Sequence, residues 1–344
     1  MNQQYLIYLM PAIVSFGLAY VLIPLFRELS LYLDFQDRPG EHKSHEEATP
    51  LLGGVAVFLA VWGALFFVLL QGWFQVGTQV RGVFLGSLLI LLMGLLDDAY
   101  HLSAFVKFLV QVGAALILLL YGVSVTLFIG PNIFTGLITI LWVVGITNSF
   151  NLLDNMDGLA PGVAAISALI FSIISLRQGD LETFFLSITL AGALAAFLRF
   201  NFHPAEIFLG DAGSGFLGFY LSALAVAANY IEHSQLPHLP IISPLLIFSV
   251  PLFDTFSVMA IRVMEGRSVW DADNRHFSHR LVNLGLSEKT AVLVIYFLTF
   301  TVGSLAILMG SVGLNDSLLI LTHAIAIFAL IILLEYASAA GDNN

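Results

Sequence analysis

Four short clusters in this sequence combine residue types that handle phosphate and divalent cations. The first is the acidic pair Asp97-Asp98, with Lys107 ten residues after Asp97. The pair closes an apolar block, where a helix dipole disfavours negative charge. Two adjacent carboxylates are costly there unless they bind a cation or one takes a proton. Taken alone, Lys107 reads as a snorkelling interfacial lysine. In the second cluster Asn148, Asn151, Asp154 and Asp157 recur every three residues. An α-helix would fan them across half its circumference, and 3₁₀ winding would stack them in one row. Gly158 and Pro161 predict that the helix breaks and restarts here. Two carboxylates and two amides at membrane depth make a hard-oxygen set suited to Mg²⁺. The third cluster is Gly210-Asp211-Ala-Gly213-Ser214-Gly215. Its glycines permit close backbone approach to a ligand, Asp211 adds an oxygen, and the following helix start offers N–H groups to a phosphate. The fourth, Asp271-Ala-Asp273-Asn274-Arg275-His276-Phe277-Ser278-His279-Arg280, pairs phosphate-binding arginines with histidines. Zinc is disfavoured because HExxH is absent. Each cluster alone also has an ordinary reading as an interfacial turn, a helix cap or a solvated loop.

The elements that must position these clusters are membrane helices. The 344 residues are 59% hydrophobic and 10% charged, with mean hydropathy +0.95. Soluble domains carry about 25% charged residues. That excludes a soluble globular domain, and disorder needs the opposite composition. A net charge of −11 without a basic tract excludes nucleic acid as a partner, and the absence of cysteine excludes disulfides and thiolate sites. Eleven apolar blocks read as transmembrane helices: 5–26, 51–70, 82–96, 105–121, 134–147, 161–176, 181–198, 215–230, 240–264, 290–310 and 317–336. Alternation suited to a β-barrel is absent. The first block lacks a basic leader, so it reads as a span rather than a signal peptide. With the N-terminus outside and the C-terminus cytoplasmic, ten of the twelve Lys and Arg residues fall inside, leaving Arg81 and Arg177 outside. The expected fold is an all-α polytopic helix bundle forming a single transmembrane catalytic domain, residues 1–344. Its inner loops 27–50, 97–104, 148–160, 199–214 and 265–289 form the site. All four clusters then lie on the inner face. Asp254 is an acid within the ninth block, functional or paired by default. His101, His203, His233, His238 and His323 have no evident partner in sequence.

Read together, the clusters resemble the polyprenyl-phosphate N-acetylhexosamine-1-phosphate transferases, relatives of the phospho-N-acetylmuramoyl-pentapeptide transferases. The resemblance runs from about Asp37 to Lys289. Asp97-Asp98 and Lys107 match the family's DD pair and its downstream basic residue. Asn148 to Leu159 match NxxNxxDGxDGL, with Asn155 in place of the first glycine, and Gly210 to Ser214 match GDxGS. His276 to Arg280 match the His-rich final loop, with Ser278 where many members have histidine. The loop before Gly53-Gly54 resembles RKxH, with His42 in the arginine's place.

The resemblance implies that a polyprenyl phosphate attacks the β-phosphorus of a UDP-N-acetylhexosamine at the cytoplasmic face of the plasma (inner) membrane, releasing UMP. Mg²⁺, or Mn²⁺ in its place, would screen the two anions. By resemblance Asp211 and Asn151 are the metal ligands. Asp154 and Asp157 complete the metal shell or position substrate, and Asp97 or Asp98 deprotonates or orients the lipid phosphate. Lys107 and Arg275 neutralise phosphate oxygens, while His276 and His279 hold phosphate or sugar. Asn148, Arg280 and Ser214 join the substrate-binding set. The separated His276 and His279, followed by Arg-Leu-Val-Asn-Leu-Gly, favour UDP-N-acetylglucosamine, with the pentapeptide substrate as the alternative. The family also suggests a homodimer. A transporter or flippase is the rival of another class, but it would set its polar site near the midplane between repeats, and no repeat is visible.

Overall fold

The computed structural model describes residues 3–37, 48–73, 77–125, 132–228, 230, 242–268 and 275–341. Arg38, His42, Lys43, Asp271, Asp273 and Asn274, from the first and fourth polar segments, lie outside the described residues. The described chain is helical apart from one antiparallel ladder, β1 (Gln36–Asp37) with β2 (Thr49–Pro50), in which Gln36 faces Pro50. It forms two compact units, Met1–Asn229 and Tyr230–Asn344.

Among the described residues, eight helices are long and apolar enough to cross a membrane. The expected blocks without a place among those eight fall on a 17-residue helix, on one whose first turn carries an aspartate, and on a pair split at Phe248. The chain is an all-α, multi-pass membrane protein. Its outer surface confirms the setting: Leu70, Leu120, Leu141 and Leu333 point outward, as expected where the surroundings are apolar.

The first unit holds α1 (Gln3–Tyr32), α2 (Gly53–Leu70), α3 (Thr78–Tyr100), α4 (Ala104–Leu120), α5 (Ile133–Leu153), α6 (Leu159–Gln178), α7 (Leu181–Asn201) and α8 (Gly210–Ala227). At its centre is α8, packed against α2, α3, α5, α6 and α7. An all-round apolar helix belongs in an interior, and Phe216, Leu217, Phe219, Tyr220 and Leu221 are fully buried. Tyr220 keeps its hydroxyl satisfied by donating to the Leu186 carbonyl at 3.1 Å. Close approach is possible because glycines face each other. A methyl on Gly54 would fall on the Gly213 backbone, and one on Gly94 would fall on Ala212.

Several helices run past the apolar blocks that predicted them. α3 continues through Asp97 and Asp98, α5 through Asn148 and Asn151, and α8 begins at Gly210 rather than 215. Polar residues end an apolar block, but they do not end a helix when neighbouring elements supply their partners. The expected break stands where Gly158, with φ +76°, separates α5 from α6.

The second unit holds α9 (Ser243–Ile247), α10 (Ser249–Met264), α11 (Phe277–Asn283), α12 (Glu288–Ser304), α13 (Ala306–Met309) and α14 (Leu314–Gly341). α12 is its hub, touching α9, α10, α11 and α13. Phe253 of α10 packs at a tilt against Phe328 of α14, ring centroids 4.7 Å apart, and meets Phe277 of α11 edge-on at 5.3 Å.

Candidate active site

The carboxyl end of α3, the amino ends of α4 and α8 and the carboxyl end of α5 meet at one end of the first unit. Asp97 is buried there. Its Oδ1 accepts the Leu102 N–H at 2.7 Å, and its Oδ2 receives the Lys107 ammonium at 2.5 Å. The same ammonium stands 3.8 Å from Asp211 Oδ2, and the carboxyl groups of Asp97 and Asp211 themselves meet. Lys107 is thus not a snorkelling lysine but a counter-ion set between two acids.

Asp98 does something the sequence did not reveal. Its two carboxylate oxygens accept the backbone N–H groups of Asp211 at 2.7 Å and Ala212 at 3.1 Å. It caps α8 from another helix, satisfying donors that a helix start leaves unpaired. The expectation that this helix start offers its N–H groups to a phosphate is corrected: Asp98 takes two of them, and the Gly213 N–H bonds the Leu209 carbonyl. Gly210, at φ +69°, makes the turn, and a side chain there would run into Asp98. The glycines of this cluster serve chain-to-chain contact instead of ligand approach.

α5 is α-helical to Leu153, so its two amides face different neighbours. Asn148 exchanges hydrogen bonds with Gln111 of α4, donating at 2.8 Å and accepting at 3.3 Å. Asn151 faces α8, donating Nδ2 to Asp211 Oδ1 at 2.6 Å and to Ser214 Oγ at 2.9 Å. Asp154, the residue that ends α5, is different in kind. Among the described residues its carboxylate has no hydrogen-bond donor or cation. Burial raises its pKa to about 8, and the charges of Asp211, Asp98 and Asp157 push the same way.

Asp157 lies in the turn between α5 and α6, and its partner is a residue that sequence reading passed over. Asp157 Oδ2 accepts the Ala205 N–H at 3.0 Å and lies 2.9 Å from His203 Nδ1. The next residue, Gly158, donates its N–H to Asn201 Oδ1 at 3.0 Å, and Asn201 Nδ2 donates to the Ile207 carbonyl at 2.8 Å. His203 was set aside for want of a partner, because Asp157 is 46 residues away. The available signal was its place in Asn201-Phe-His203-Pro204, polar residues closing a span just before Gly210-Asp211.

In the second unit, buried Asp254 receives His276 Nδ1 at 2.8 Å on Oδ2 and the Phe277 N–H at 2.6 Å on Oδ1. That resolves Asp254 as a paired acid and fixes the start of α11. Arg280 reaches Glu335 at 3.1 Å, Ser257 Oγ at 3.0 Å and the Arg275 carbonyl at 2.7 Å, and Arg275 is ion-paired with Glu265. The pKa of His279 is lowered, first by burial and then by neighbouring His276.

The residues that sequence reading joined into one site therefore fall in two groups. Asp97, Asp98, Lys107, Asn148, Asn151, Asp154, Asp157, Asp211 and Ser214 belong to the first unit. His276, His279, Arg275 and Arg280 belong to the second. Among the described residues no three His, Asp or Glu side chains are preformed as a metal cage. The donor chemistry of the first unit nevertheless fits a hard divalent cation: Asp154 lacks a donor, and the mutual repulsion of Asp98, Asp154 and Asp211 would be relieved by one.

Known proteins resemble this sequence. The model of glycosyl transferase family 4 matches residues 80–229, which take in every clustered residue of the first unit. The chain is 34% identical over 331 residues to a probable undecaprenyl-phosphate N-acetylglucosaminyl 1-phosphate transferase of Bacillus subtilis, covering 94% of this chain and 89% of that protein. A decaprenyl-phosphate N-acetylglucosaminephosphotransferase of Mycobacterium tuberculosis is 34% identical over 289 residues, 75% of this chain and 71% of that protein. A phospho-N-acetylmuramoyl-pentapeptide-transferase of Streptococcus equi subsp. zooepidemicus is 32% identical over 311 residues, 82% and 90% of the respective chains. The fold and these likenesses define a membrane-embedded sugar-phosphate transferase. The chain belongs to glycosyl transferase family 4.

Proposed function

We propose that the chain transfers N-acetylglucosamine-1-phosphate from UDP-N-acetylglucosamine to a polyprenyl phosphate, at the cytoplasmic face of the membrane. An oxygen of the lipid phosphate forms a bond to the β-phosphorus of the nucleotide sugar. The bond from that phosphorus to the UMP oxygen breaks, and UMP leaves. The observation that carries this reading is the gathering of Asp97, Lys107, Asn151, Asp154 and Asp211 at one end of an apolar bundle. A lipid phosphate and a water-soluble nucleotide can meet only at such an interface. The names of the bacillary and mycobacterial relatives support the polyprenyl acceptor and the N-acetylglucosamine donor.

Asp211, Asn151 and Asp154 are the residues that would hold Mg²⁺. Bound there, the ion supplies positive charge to the phosphate oxygens on which negative charge develops. Lys107 pairs with Asp97 and fixes its carboxylate facing Asp211. Asp98 holds the α8 start so that Asp211 is presented from a rigid turn. Asn151 orients Asp211 and Ser214 together. These are positioning tasks, and phosphoryl transfer rests largely on positioning and electrostatics.

Purified protein should release UMP from UDP-N-acetylglucosamine only when polyprenyl phosphate and Mg²⁺ are both present. Asp211→Asn should abolish that release while leaving the melting temperature within a few degrees. Release of UMP from the pentapeptide nucleotide alone would replace the sugar assignment, and near-normal activity of Asp211→Asn would remove the metal assignment.

A further inference from the structure

We propose that His203 is a positioning residue: with Asp157 and Asn201 it forms a latch that fixes the turn carrying Asp154 against the segment leading to Asp211. This rests on the transferase reading above. Three bonds make the latch. His203 Nδ1 and the Ala205 N–H both meet Asp157 Oδ2, and the Gly158 N–H meets Asn201 Oδ1. Asn201 extends it by donating to the Ile207 carbonyl. The first three contacts run between the turn after α5 and the stretch 201–207, and the fourth ties that stretch to itself. That stretch ends three residues before Gly210, whose turn starts α8 and presents Asp211.

The latch has work to do because, among the described residues, the Asp154 carboxylate has no hydrogen bond of its own to hold it. A carboxylate left loose by about 1 Å loses much of its catalytic value. Asp157, three residues after Asp154, is bound to His203 and so pins the turn from its far side. Its carboxylate oxygen Oδ2 is already committed to two donors, which makes it an anchor, unlike the donorless carboxylate of Asp154. Nδ1 is the histidine atom that matters, as the donor to Asp157, and the partly exposed ring keeps Nε2 away from that bond.

Asparagine and glutamine separate the two ring nitrogens. The Asn amide nitrogen falls near the place of Nδ1, whereas the Gln amide reaches the place of Nε2. We expect His203→Ala to lower kcat for UMP release at least tenfold, with KM for UDP-N-acetylglucosamine changed by less than threefold. His203→Asn should recover most of the loss and His203→Gln little. Asp157→Asn combined with His203→Ala should be no worse than either alone. Rescue by Gln and not Asn would mean that Nε2 touches substrate, and would overturn the latch. So would a His203→Ala protein of normal kcat. Melting temperatures of the same variants need no turnover, and the order wild type, Asn, Gln reports the bond directly. A wild-type chain that releases no UMP would defeat the transferase reading, while the melting order would still decide the latch.

Discussion

At the scale of single residues, Asp98, Asp154, Asp157 and Asp211 of the first three clusters look alike in sequence and differ completely in circumstance. Asp98 receives two backbone donors, Asp211 an amide, Asp157 a histidine and a backbone N–H, and Asp154 none among the described residues. That difference has a thermodynamic sign. Folding raises the Asp154 pKa from 3.8 to about 8. Below the unfolded value both states carry the proton and nothing is lost. Between the two values the unfolded chain gives up the proton and the folded one keeps it, so stability falls as pH rises through that window. In EDTA the melting temperature should decline from pH 5 to pH 8. Asp154→Asn should flatten that decline, and saturating Mg²⁺ should flatten it in the wild type by favouring the ionised carboxylate. Equal slopes for wild type and Asp154→Asn in EDTA would show that this group is not the source.

At the scale of elements, the site depends on how closely α2, α3 and α8 approach. A methyl built on Gly213 would lie 2.7 Å from the Gly54 Cα and 2.8 Å from Leu209 Cδ2, with backbone on one side that cannot rotate away. Gly213→Ala should therefore destabilise the fold by about 1–3 kcal/mol, the ordinary cost of overpacking, and should weaken activity by displacing Asp211. Gly145→Ala on α5, with open space at its Cβ, should be neutral or stabilising by about 0.5–1 kcal/mol from helix propensity. Thermal melting of the two variants in detergent checks the contrast, and equal melting temperatures would remove the packing argument. This scale also shows what a sequence can and cannot carry. The Gly54 and Gly213 motifs, the acidic pair and the helix break at Gly158 were legible as types and spacings. Which acid caps, which pairs and which stands alone was not, since Asp98 and its donors on α8 are 113 and 114 residues apart. The apolar blocks stop short of the ends of α3 and α5, since the partners of Asp98, Asn148 and Asn151 are distant in the chain.

At the scale of the whole molecule, the orientation argument rests on every expected block crossing the membrane, and α4 is the severest test. Its 17 residues rise about 26 Å, short of the hydrocarbon core of about 30 Å. Lys107 sits in its first turn, paired with Asp97 of α3, so the polar end of α4 is held at the level of the acidic pair. The helix then crosses only if its other end, near Tyr121, reaches the opposite interface. Because the chain contains no cysteine, each introduced cysteine is a unique reporter of sidedness. An impermeant maleimide added to intact cells should label Gln71→Cys, after α2, and Gln178→Cys, which ends α6. It should label Glu28→Cys, Tyr100→Cys and Tyr336→Cys only after the membrane is opened. Glu28, Gln71 and Tyr100 test α1 to α3, and Gln178 tests α4 to α6 by parity. If α4 fails to cross, Gln178 moves to the cytoplasmic side and its labelling in intact cells disappears. The acids at the ends of α3 and α5 would then lie in opposite leaflets, which the hydrogen bonds linking Asp98 and Asn151 to the α8 start do not permit. Protection of Gln178, with Tyr336 labelled in intact cells, would therefore contradict the site as well as the topology.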